Sequence, residues 1–201
     1  KLYEQWLEEH STKMRELAST LHEVTNRLND FSADINERLE SEEYMQIVRK
    51  SFRTWDSADT KEKKDLIRKL LTNSGVNKLV PDDLIRLFLD WISLYHEVHF
   101  AVIKVIYQRS STTRHQIWQQ LNGKSVREDS LEADLFKLII RDLSTGSVIR
   151  QSRATDYAGN FIKKTTKSPS RYGSTMKSAF DDHDTYELTE LGHHFVHYTM
   201  N

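Results

Sequence analysis

The stretch TRHQIWQQLNGKSVREDSLEADLFKLIIRDLSTGSVIR, Thr113 to Arg150, decides the fold of the second half of this chain. Thr113 to Leu121 predicts a short helix, Asn122-Gly123 a turn, and Ser130 to Leu143 a second helix. The run Gly146-Ser147-Val148-Ile149-Arg150 then reads as a short apolar strand. Upstream, Pro81 with Asp82 and Asp83 starts the strongest helix, since proline suits the first helical position and acids suit the positive end of the helix dipole. That helix is expected to run unbroken to about Gln108. Leu84, Leu87, Phe88, Trp91, Ile92, Tyr95, Val98, Ile103, Ile106 and Tyr107 make it apolar on more than one face, as a central buried helix joining the two halves would be.

The helix, turn, helix and strand between Thr113 and Arg150 resemble the helix-turn-helix and first wing strand of bacterial winged-helix proteins. In those the second helix ends in a Leu, a Gly and a short apolar strand. Tyr186-Glu187-Leu188-Thr189-Glu190-Leu191-Gly192 resembles their second wing strand and following helix, so the resemblance covers about 90 residues. It implies a DNA-binding domain of the kind found in transcription regulators. The middle segment, Ser41 to Tyr107, is similar in helix order to uncharacterised helical proteins of bacterial defence and prophage loci, including the abortive-infection alpha type. The stretch Lys63-Lys64-Asp65-Leu66-Ile67-Arg68-Lys69-Leu70-Leu71 carries that likeness.

The first segment alternates apolar spacings of three and four: Tyr3, Leu7, His10, Met14, Leu17, Leu21, Val24, Leu28, Phe31, Ile35. This is a heptad seam of about four to five repeats, interrupted only by His10 and flanked by charges such as Glu16, Glu23, Arg27 and Asp34. Two partners fit it: the protein's own later helices, or a second copy in a homodimeric coiled coil through Leu7, Met14, Leu17, Leu21, Val24, Leu28, Phe31 and Ile35. Ser41 with Glu42 and Glu43 opens the next helix, over Tyr44, Ile47, Val48, Phe52 and Trp55. Thr60 caps another over Leu66, Ile67, Leu70 and Leu71, which Asn73-Ser74-Gly75 closes. The fold expected is therefore mainly α, with a helical or coiled-coil N-terminal region at 1–80, a connecting helix at 81–110, and a winged helix with a small β-hairpin wing at 111–201.

With 29% charged and 37% apolar residues among 201, the composition is that of a folded globular chain. The absence of cysteine excludes disulfides, thiolate zinc sites and cysteine nucleophiles, and a cytoplasmic location is expected. No apolar run approaches the roughly 20 residues that span a bilayer, so no membrane partner is expected. Because residue 1 is Lys, the native start is expected to lie upstream, where targeting or activity could reside. The net charge of -1 hides an uneven distribution. Residues 146–180 hold Arg150, Arg153, Lys163, Lys164, Lys167, Arg171 and Lys177 against one acid, Asp156, while 181–201 hold five acids and no Lys or Arg.

These seven basic residues, interleaved with Tyr157, Phe161 and Tyr172, suit phosphate contact without sequence preference. The helix at 130–143 does not suit base readout: Glu128, Asp129, Glu132 and Asp134 crowd its start, Lys137 and Arg141 offset only part of that charge, and its many apolar residues suit a helix covered on two sides. No catalytic site is expected, for the chain has no glycine-rich phosphate loop and no nucleophile elbow. No metal or cofactor is expected either. His96-Glu97-Val98-His99 has the wrong spacing for a zinc-hydrolase helix, and His193 with His197 is a lone pair. The expected function is a regulator-like DNA- or RNA-binding protein acting through its wing. The alternative is a protein-interaction subunit of a bacterial defence or prophage system that never touches nucleic acid.

Overall fold

The computed structural model describes residues 1–29, 33–76, 79–153, 157–158 and 178–201. The chain divides into two compact units: Lys1–Glu97 with His194–Asn201, and Val98–His193. The helical content and the small sheet near the C-terminus agree with the mainly α reading.

In the first unit, α1 (Leu2–Asn29), α2 (Ala33–Glu40), α3 (Glu42–Ser57), α4 (Lys61–Val76) and α5 (Asp82–Leu94) follow one another. Ser41 caps α3 by accepting from the Tyr44 amide at 3.2 Å, and Thr60 accepts from the Lys63 amide at 3.3 Å at the start of α4. Apolar residues at helical spacing place α3 against α4 and α5, so that Ile47, Ile67, Leu70, Leu71, Phe88, Leu89 and Ile92 are buried. The Tyr44 hydroxyl donates to the Leu71 carbonyl at 3.0 Å inside this core. Arg38 of α2 grips Asp82 of α5 with two bonds, 3.0 and 2.5 Å. Phe195 and Tyr198, from the chain's last turns, meet Phe88 edge-on and tilted respectively, and the Tyr198 hydroxyl accepts from the Leu79 amide at 3.2 Å.

The heptad seam divides. Leu17 and Val24 are buried where α1 lies on α4, and Leu21 is half-buried. Leu7 and Met14 are exposed. Phe31 and the side chains of Leu28 and Ile35 fall outside the described residues. The expected unbroken helix from Pro81 to Gln108 is instead two, α5 and α6 (Glu97–Gln108). Tyr95 leaves helical geometry at ψ 144, its amide bonded to the Trp91 carbonyl at 2.9 Å and its ring held 6.3 Å from that of Trp91. The break coincides with the border between the two units and carries neither proline nor glycine, so nothing local in the sequence marks it.

The second unit continues from α6 through β1 (Thr112–Thr113), α7 (Arg114–Leu121), α8 (Leu131–Thr145), β2 (Ile149–Gln151) and β3 (Thr185–Leu188) into the first turn of α9 (Glu190–Thr199). The sheet is antiparallel with order β1-β3-β2. Thr113 and Gln116 form a reciprocal capping box on α7, and Gly123 takes φ +63° in the turn after it. At the end of α8 the Val148 amide bonds to the Leu143 carbonyl and the Ser147 amide to the Ser144 carbonyl, a Schellman closure. Its left-handed position falls on Ser147, φ 57°, and not on Gly146, which stays right-handed. Gly192 lies so close to β2 that a Cβ there would run into the Val148 carbonyl. Ala133, Phe136, Ile139, Ile140 and Leu143 bury one face of α8 in this unit.

Candidate nucleic-acid interface

The inner faces of β2 and β3 and the C-terminal half of α8 enclose a groove of about 470 Å³. Ile140, Ser144, Ile149, Gln151 and Tyr186 line it, together with four arginines: Arg114, Arg141, Arg150 and Arg153. No carboxylate is among the described lining residues. Strand alternation puts Ile149 and Gln151 on one face of the sheet with Leu188 and Tyr186, and Arg150 on the other with Glu187, so Arg150 borders the groove from the opposite face.

The buried Tyr186 organises the groove. Its hydroxyl accepts from Arg114 Nε at 2.9 Å and from Gln151 Nε2 at 3.3 Å, and the Arg114 guanidinium lies 5.4 Å from the ring centroid. Arg114 also reaches the Ser178 carbonyl at 3.4 Å, so its guanidinium is fixed while Arg141, Arg150 and Arg153 reach solvent. Acids stand behind the rim: Glu187 accepts from Arg150 at 2.8 Å, and Asp142 lies 3.9 Å from Arg141. Planar guanidinium groups gathered around one concavity suit oxyanions such as phosphate, each offering paired N–H donors.

Of the seven basic residues singled out in the sequence, Arg150 and Arg153 come together at this groove. Lys163, Lys164, Lys167, Arg171 and Lys177 lie outside the described residues. Sequence reasoning missed Arg114, because the contact that brings it here spans 72 residues to Tyr186.

The start of α8 has a different chemistry. Two of its four acids are already engaged. Glu128 accepts from the Ser178 hydroxyl and from the Ala179 amide at 2.9 Å, with Lys137 Nζ at 3.5 Å. Burial pushes the Glu128 carboxyl up, and the bonds from Ser178 and Ala179 with the charge of Lys137 more than reverse this, holding it below its ordinary value. Asp129 takes two bonds from Arg127, at 2.8 and 2.7 Å, which hold its carboxyl below the usual range. Glu132 and Asp134 are exposed. The expectation that α8 is covered on two sides is corrected within this unit: Leu131 is 81% exposed, Leu135 48% and Leu138 39%. Their spacing of four and three puts them on one outward stripe.

The histidines do not assemble. His96 is exposed and His99 is buried, its Nε2 3.8 Å from Asp142. Among the described residues no three His, Cys, Asp or Glu side chains are grouped to hold a metal ion, and no helix is long and apolar enough to cross a membrane. Set beside family models, curated proteins and solved structures, the chain matches none.

Proposed function

We propose that this chain is a nucleic-acid-binding protein of winged-helix type that grips phosphates through the arginines at the base of its β-hairpin and reads no base sequence through α8. One observation carries the reading: four arginines, with no acid among the described lining residues, border a single groove. The element order and the β1-β3-β2 sheet support the winged-helix part of it. Binding of this sort is electrostatic, tolerant of sequence and weakened by salt. A cytoplasmic, regulator-like role goes with it, and cysteine-free composition is compatible with that location. The test is fluorescence anisotropy of labelled duplex and single-stranded oligonucleotides at about 50 mM salt, where attraction to phosphate is strong. Saturable binding with little preference among sequences is expected, and a flat response overturns the reading.

The exposed leucine stripe of α8, with Glu132 and Asp134 beside it, favours a second reading. There the same unit docks a protein partner, as in a subunit of a defence or prophage assembly, and nucleic acid is not touched. That reading predicts no oligonucleotide binding at any salt concentration.

A further inference from the structure

We propose that the first half of α1, Leu2 to Met14, is the contact surface for the same segment of a second copy of this chain. Contacts between α1 and the rest of its unit begin late. Lys13 reaches the Asp56 carbonyl at 3.4 Å, Glu16 pairs with Lys64 at 2.7 Å, and Glu23 pairs with Arg68 at 3.4 Å. Residues 1–12 are all exposed. Yet the heptad register continues without a shift from the buried Leu17 and Val24 back through Met14, His10, Leu7 and Tyr3.

The result, among the described residues, is an apolar stripe that its own unit leaves exposed. Leu2, Tyr3, Trp6, Leu7 and Met14 are between 43% and 85% exposed, and Trp6 stacks flat on His10 at 5.3 Å. A helical segment of this length is marginal in water unless tertiary contact supports it.

Area identifies the occupant. With aromatic side chains of roughly 150–250 Å² each and the aliphatic ones in proportion, the exposed parts of these five side chains amount to on the order of 600 Å² per copy. A standard interface takes about 800 Å² from each partner, so the stripe supplies most of one side and its flanking stems can supply the rest. Heptad spacing is self-complementary, which makes an identical helix the matching surface, with His10 as the one polar residue in the seam.

The test is sedimentation equilibrium of the full chain from about 1 to 100 μM, where a contact of this size is expected to show a concentration-dependent dimer. Leu7→Glu places a charge in the seam and should weaken the dimer at least about tenfold. At a concentration where the parent chain is monomeric its melting transition should stay in place, because Leu7 lies on the exposed stripe. His10→Leu completes the seam and should tighten the dimer by about as much. A chain that stays monomeric throughout that range overturns the proposal. So does a dimer that neither substitution alters, since its contact then lies elsewhere.

Discussion

Two surfaces of the second unit have opposite chemistry. The groove at the hairpin base gathers Arg114, Arg141, Arg150 and Arg153 around buried Tyr186, while the outward face of α8 presents Leu131, Leu135 and Leu138 with Glu132 and Asp134. In a winged helix the second helix is the element that enters the major groove. In the winged-helix reading proposed above α8 takes that place, yet its outward face is apolar and acidic, and the cationic surface is built by strands and helix ends beside it. A shared element order therefore says little about which surface makes contact; the charges on each surface decide that.

The largest effect should come from removing the support of the groove itself. Gly192→Ala drives a methyl into the Val148 carbonyl at the base of β2, and because backbone cannot swing aside as a side chain can, a loss of about 2–3 kcal/mol is expected. Chemical denaturation followed by circular dichroism measures it. If the groove is the binding surface, that variant should also lose oligonucleotide affinity, whereas a contact centred on the α8 leucines would suffer less.

Neutralising the acids on the other surface sharpens the contrast in the opposite direction. Glu132→Gln with Asp134→Asn removes two exposed negative charges, and oligonucleotide affinity should rise several-fold at about 50 mM salt, with the gain shrinking at high salt as screening grows. Anisotropy at both salt levels is the measurement. Unchanged affinity would place the nucleic acid well away from α8.

A smaller effect is expected at Ser147, which holds the left-handed position that closes α8 just before β2. Ser147→Gly relieves the Cβ penalty and should raise stability by about 0.5–1 kcal/mol, read as a shift in denaturation midpoint.

The smallest effect is one of shape. Because the Glu128 carboxyl is held below its ordinary value of 4.5, its contribution to stability is fully present above that pH and is lost as pH falls through the lowered folded-state value. Glu128→Gln should therefore melt below the parent protein at neutral pH, and the gap should close as the pH drops below about 4.5. A gap that stays constant with pH would show that the bonds to Ser178 and Ala179 do not depend on the charge.

Features set by neighbours in sequence were legible before the structure. Ser41 as the cap of α3, the turn at Asn122-Gly123, and the two helices and strand between Thr113 and Arg150 all follow from local rules. Features set by distant contacts were not. The break at Tyr95 has no proline or glycine to mark it and falls beside the border between the two units. The heptad seam looked uniform, yet among its described side chains only Leu17 and Val24 are buried where α1 meets α4. In α8 the apolar residues outnumber what one buried face needs, and sequence alone could not tell that Leu131, Leu135 and Leu138 face outward in their unit. Half of the groove's arginines, Arg150 and Arg153, stood out as part of a basic run. Arg114 and Arg141 did not join that group, because only the folded chain brings their helices to the hairpin.

The most direct test of the central claim is the salt dependence of oligonucleotide binding by the chain and by its Arg141→Gln, Arg150→Gln, Arg153→Gln variant. These three rim arginines reach solvent, so their removal leaves Arg114 and its bond to Tyr186 in place. Each phosphate contact on duplex DNA contributes roughly 0.9 to the slope of log affinity against log salt, so the variant should lose up to about 2.7 from that slope. Its affinity near 100 mM salt should fall by about a hundredfold. An unchanged slope and affinity in a variant that melts like the parent protein would contradict the assignment of the groove to phosphate.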